Sequence, residues 1–131
     1  MDATTRELVR RRAGNRCEYC LLRQEHSALT HHIEHIIAKQ HGGGDDVNNL
    51  ALACHRCNLR KGPNLTGMDP ISGEVVALFH PRRDRWSDHF LLHGVRIQGI
   101  TPAGRATVNV LALNDARRLE LRSQLLAHNQ L

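Results

Sequence analysis

Aromatic residues are nearly absent from this chain: one Trp, one Tyr and two Phe make up 3% of its 131 residues. A core built on large rings is therefore excluded, and packing has to rest on Leu, Val, Ile and Ala. So small a core is often reinforced by a covalent or metallic tie. Long apolar runs are missing too. None approaches the roughly 20 residues that cross a bilayer, and the opening stretch MDATTRELVRRR lacks the apolar segment of a secretory leader. These absences predict a soluble, cytoplasmic protein that makes no use of a membrane. Repeats, low-complexity tracts and a clear linker are also lacking, and the length suits one domain over residues 1–131. Cysteine is scarce, four in all. Structural disulfides are rare in a reducing cytoplasm, so the four need another explanation.

Their spacing supplies one. They fall as Cys17-x-x-Cys20 and Cys54-x-x-Cys57, two knuckles of the kind that close a tetrahedral four-thiolate zinc site. Redox CxxC pairs would sit at a helix start within a βαβ pattern, which the sequence does not show. Matched pairs with none left over fit structural Zn²⁺ better, and His55, inside the second knuckle, is then expected at the surface. The 33 residues between the knuckles exceed what a compact zinc ribbon needs, so something is mounted there. The formal charge of +5 and pI near 9.6 favour a polyanionic partner. A zinc tetrathiolate would lower that charge to about +3.

Along the chain, Thr4-x-x-Glu7 has the pattern of a capping box. A short helix follows that stops at Gly14, with Arg10, Arg11 and Arg12 read as a solvated face. The β-branched, alternating character of residues 29–37 predicts a strand, GGGDDVNN a loop, LALAC a second strand, and NLRK a brief helix stopped by Gly62-Pro63. Beyond lie a turn at GMDPISGE, a strand at VVALF and a basic loop at HPRRDRW. HFLLHGVRIQGI and RATVNVLAL are expected to form an antiparallel hairpin or meander. Asn114 is expected to cap a final helix that packs through Leu119, Leu125 and Leu126.

IEHIIAKQHGGGDDVNNLALACHRCNLRKG, flanked by the two knuckles, resembles the HNH endonuclease motif of the ββα-metal nuclease fold in its zinc-stapled branch. The resemblance covers residues 17–62. It implies an α+β protein: a ββα-metal core stapled by a four-cysteine zinc site over 17–62, then a β-rich extension over 63–131 with a hairpin or meander and a terminal helix. It further implies that Glu34 and Asn58 bind a catalytic Mg²⁺ or Mn²⁺, that His35 is the general base, and that Asn49 braces it. The chain departs from the common pattern by carrying Glu34 where many relatives have Asp, and Ala38 where many have Pro.

These roles make chemical sense. A neutral imidazole accepts a proton from water near neutral pH, and a hard cation with oxygen ligands offsets charge on a phosphodiester. Neighbouring residues of a regular strand face opposite ways, so the strand must twist or end at Glu34-His35. His31 and His32 are open to either packing or substrate contact, with His32, which shares a face with Glu34 in a regular strand, the better candidate to assist the metal site, and His41 is open to solvent or phosphate. Lys61, one turn after Asn58, and Arg82, Arg83 and Arg85 beside Trp86 are the candidate nucleic-acid contacts. A solvated loop with Trp86 as a core anchor is the competing account of the arginine cluster. The expected activity is metal-dependent hydrolysis of DNA, by nicking, with weak sequence selectivity and no small-molecule cofactor. The alternative is a non-enzymatic, zinc-stabilised nucleic-acid-binding module.

Overall fold

The computed structural model describes residues 1–131. The element order is α1 (Ala3–Arg12), β1 (His32–His35), β2 (Leu50–Ala53), α2 (His55–Lys61), β3 (Thr66–Met68), β4 (Val75–Ala77), α3 (Trp86–His89), β5 (Phe90–His93), β6 (Arg96–Gly99), α4 (Pro102–Val110) and α5 (Ala116–Ala127). The fold is α+β, with a ββα core of β1, β2 and α2 carrying a four-cysteine cluster, a C-terminal hairpin β5–β6 and a terminal helix. The chain forms two compact units, Met1–Leu65 with His80–Trp86, and Thr66–Phe79 with Ser87–Leu131.

In the first unit α1 is capped by Asp2, whose carboxylate accepts from Thr5 N at 2.8 Å, and not by the Thr4-x-x-Glu7 box. An Asp just before the helix satisfies the orphan amide that the box would have served. Val9, fully buried, packs against Leu50 and Leu52 of β2, with Ala13 and Ile33 alongside. Each such side chain contributes about 1.5–3 kcal/mol when fully buried. Arg10 and Arg12 are not simply solvated. Arg10 Nη2 donates to His31 O at 3.1 Å, and Arg12 donates to Val47 O at 3.0 Å and Leu50 O at 2.8 Å. They tie α1 to carbonyls flanking both strands.

Strands β1 and β2 are antiparallel, with His32 opposite Ala53 and Glu34 opposite Ala51. The strand expected over 29–37 is thus confined to 32–35, because polar side chains take the backbone groups beyond each end. Gln24 Oε1 accepts from His31 N at 2.6 Å, and Asn49 Oδ1 accepts from Ile37 N at 2.9 Å. The following loop folds back so tightly that a Cβ at Gly43 would lie 1.7 Å from Ile37 O. Only glycine fits there.

In the second unit the hairpin β3–β4 is closed by Asp69. Its carboxylate accepts from Ile71 N at 3.0 Å and Ser72 Oγ at 2.9 Å, and it is bound twice by Arg105, each contact 2.9 Å. Helix α4 packs on β3, β4 and β6, and Phe79 meets Phe90 edge-on, with ring centroids 5.2 Å apart. The expectation for RATVNVLAL is corrected here: residues 102–110 are helical, and the hairpin lies wholly within residues 90–99. Thr101 Oγ1 accepts from Gly104 N at 3.0 Å, and Pro102 occupies the first turn. This pairing starts a helix and overrides the strand preference of Thr107, Val108 and Val110. The helix also sits close enough that a Cβ at Gly104 would approach His89 O to 2.1 Å.

The last helix is capped by Asp115, not Asn114. Asn114 is used differently, its amide bridging Ile97 N and Ile97 O, each at 2.8 Å. The buried positions of α5 are Arg118 and Arg122, whereas Leu119 and Leu125 are half-buried and Leu126 is exposed. Arg122 is drawn inward by the carbonyls of Val95 and Leu113.

The Asp69 cluster predicts how this unit responds to acid. Hydrogen bonds from Arg105 hold the Asp69 carboxyl well below its ordinary value. A carboxyl with a depressed folded-state pKa stabilises the fold fully at pH above its unfolded value, near 4, and that contribution is lost progressively as pH falls from there through the much lower folded-state value. Asp69→Asn is expected to lower the melting temperature at pH 7 and to leave it nearer wild type at about pH 2. Thermal unfolding at both values checks this, and an equal penalty at both would refute it.

Candidate metal centre

The two knuckles are built by short, local means. Cys20 N points at Cys17 Sγ and Cys57 N at Cys54 Sγ, both at 3.4 Å, while Cys17 N donates to Leu22 O at 2.9 Å to close the first turn. The four sulfurs lie within 4.8 Å of one another, and Cys20 Sγ is 3.7 Å from Cys54 Sγ. Thiolates at about 2.3 Å from a tetrahedral zinc ion would be about 3.8 Å apart, which the Cys20–Cys54 separation matches. The thiols share protons unequally. Hydrogen bonding with Cys17 holds Cys20 and Cys54 below the ordinary thiol range, whereas burial pushes Cys17 and Cys57 up.

Between the knuckles, β1 carries Glu34 and ends at His35. Glu34 is buried. Its Oε1 accepts from Tyr19 Oη at 3.0 Å and faces Lys61 Nζ at 2.8 Å. Its Oε2 is buried with no hydrogen-bond partner. Burial raises the Glu34 carboxyl above its ordinary value, against the opposing pull of Lys61 and Tyr19. An ionised oxygen shut away without a donor is costly, and a cation ligated there would satisfy it. Asn58, half-buried, stands at helical spacing between His55 and Lys61 on α2. One carboxylate and one amide oxygen are the donor types that suit Mg²⁺ or Mn²⁺.

Where β1 ends, His35 Nε2 meets Asp45 Oδ1 at 2.7 Å. The His35 bond, followed by Lys39, holds Asp45 below the usual carboxylate range. An ionised Asp45 accepts the Nε2 proton and leaves the Nδ1 lone pair available. Asn49 does not touch His35. Its amide clamps the loop that carries Asp45, donating to Ile37 O and Gly44 O at 3.0 Å each while its Oδ1 holds Ile37 N.

The proposed nucleic-acid contacts fare differently. Lys61 is 2% exposed and spends its ammonium on Glu34 and on Ile36 O at 2.8 Å, so the structure does not present it to a phosphate. Arg82 is paired with Glu18 and half-buried, and burial pushes its guanidinium down to about 10. Arg83 and Arg85 are exposed. Trp86 is half-buried and donates to Tyr19 O at 2.9 Å, which anchors the loop in its own unit. Sequence reasoning passed over Asp45, Tyr19 and Glu18. Asp45 sat inside what read as turn residues, and Tyr19 and Glu18 inside a knuckle valued only for sulfur.

A strand pair and helix that bear an acid-histidine step, stapled by four cysteines, define a class, and the comparison agrees: residues 17–64 match the family described as HNH endonuclease and form an HNH-endonuclease domain with a four-cysteine cluster. The chain is also 31% identical over 109 residues to the Septu protein PtuB of Bacillus thuringiensis. That alignment covers 82% of this chain and 40% of that protein, so the chain spans less than half the length of this relative. No solved structure matches the chain, and no helix is long and apolar enough to cross a membrane.

Proposed function

We propose that the chain is a metal-dependent endonuclease that hydrolyses DNA phosphodiester bonds by nicking, with weak sequence selectivity. The observation that carries this reading is the His35–Asp45 pair at the end of the strand that bears Glu34. Glu34 and Asn58 would hold Mg²⁺ or Mn²⁺, which supplies a hard Lewis acid for phosphate oxygens when bound. His35 accepts the proton of the attacking water at Nδ1, and Asp45 fixes the tautomer and the ring. Asn49 keeps the Asp45 loop in place. Lys61 neutralises part of the Glu34 charge, and Arg83 and Arg85 supply sequence-independent phosphate contacts. The formal charge of +5 supports a polyanionic substrate.

The Lys61–Glu34 ion pair favours a second reading, a zinc-stabilised nucleic-acid-binding module without activity, because an acid already neutralised by a lysine has less need of a cation. Supercoiled plasmid decides between the two. Nicked circles that form only with added Mg²⁺ or Mn²⁺ support the nuclease, and DNA binding without cleavage supports the module. In the nuclease, Asp45→Ala is expected to slow single-turnover nicking by about one to two orders of magnitude, less than the loss of a buried orienting carboxylate costs. Substrate affinity should be unchanged.

A further inference from the structure

Outside both sets of ligands, β1 and α2 bring two more nitrogen donors together. His32 Nε2 and His55 Nδ1 are 3.2 Å apart, with ring centroids 5.4 Å apart and planes inclined at 35°. We propose that His32 and His55 form a separate metal site that takes a borderline transition-metal dication of the Zn²⁺ or Ni²⁺ class.

Imidazole nitrogens at about 2.0–2.1 Å from a tetrahedral ion are about 3.3–3.4 Å from each other, and at adjacent corners of an octahedron about 2.9 Å. The observed separation lies between these two values. A single N–H···N hydrogen bond joins the rings. Moving that one proton to the outward nitrogen turns both facing lone pairs toward an ion.

The platform is stiff. His32 lies opposite Ala53 in the strand register, Cys54 follows Ala53, and His55 opens α2 directly after Cys54. Cys54 Sγ in turn accepts from Cys57 N. The backbones of the two residues are thus held by the same strand end and knuckle that hold the thiolates, and the rings by their mutual hydrogen bond. Both rings are exposed, which leaves the remaining coordination positions to water. The donor set is purely imidazole, which selects zinc, nickel or copper over magnesium. Three donor chemistries are then sorted along one short stretch: sulfur at the knuckles, oxygen at Glu34 and Asn58, nitrogen at His32 and His55.

The test uses no DNA, so its outcome is independent of the nuclease reading. The 131-residue chain with one zinc per chain, verified by elemental analysis, is titrated with Zn²⁺ in a calorimeter, and the Ni²⁺ form is examined by NMR for paramagnetically shifted imidazole N–H signals. An equivalent held by His32 and His55 is expected, beside any taken up at Glu34 and Asn58, with two such signals. His32→Ala and His55→Ala should each weaken that equivalent by more than about tenfold while retaining the first. His128→Ala, at an exposed position near the C-terminus, should change neither. Absence of any equivalent beyond the first overturns the proposal, as does a Zn²⁺ stoichiometry that both histidine substitutions leave unchanged.

Discussion

His35→Ala is expected to lower the rate of plasmid nicking about 10²- to 10⁴-fold, the usual cost of losing a positioned general base. The ring is half-buried at the end of β1 and hydrogen-bonded to Asp45, so nothing in the Val9–Leu50–Leu52 core depends on it. The variant should therefore keep the wild-type melting temperature, its zinc and its affinity for DNA, because affinity rests on phosphate contacts elsewhere. Gel-resolved nicking in Mg²⁺ and Mn²⁺, run beside a filter-binding assay, separates the two quantities. Cleavage that persists in His35→Ala and disappears in His32→Ala would place the base three residues earlier in the strand.

Cys57→Ser should have the largest effect on the protein itself. Cys57 is fully buried and belongs to a cluster that joins residues 17–20 to residues 54–57. Binding of a structural zinc ion is worth about 10–16 kcal/mol in small zinc-folded peptides, comparable to the whole stability of an ordinary domain. Loss of one thiolate is expected to empty the site and unfold the first unit. Elemental analysis and circular dichroism of the purified variant report the two events together. A folded, zinc-free and fully active variant would show that the cluster has no structural role.

Much of this architecture is legible in the sequence where the signal is local. The knuckles, the glycine-rich loop and the Gly62-Pro63 stop lie within a few residues of the structures they specify, and the ββα order follows from them. Legibility fails where a side chain is claimed by a distant backbone. Thr101 and Pro102 start a helix that the β-branched run after them conceals. Arg118 and Arg122 are buried in place of the leucines, and Arg122 finds one carbonyl partner, Val95, far back in the chain. The site shows the same limit. Glu34 and His35 stand out in sequence, but the Asp45 partner of His35 depends on the path of a loop, and the Lys61 partner of Glu34 on how far the helix leans over the strand.

Arg10 and Arg12 donate to main-chain carbonyls, whereas Lys61, Arg82 and Arg105 are matched by Glu34, Glu18 and Asp69. The two groups differ in what a polyanion feels. A carbonyl-bound guanidinium keeps its full positive charge, so it still draws an approaching strand from a distance and speeds encounter at low ionic strength. A carboxylate-matched cation contributes only a local dipole. Neither group readily displaces the ions condensed on a nucleic acid, because its donors are already committed. The dependence of equilibrium affinity on salt should therefore be shallower than the inventory of 18 basic residues suggests, while the dependence of association rate stays steep.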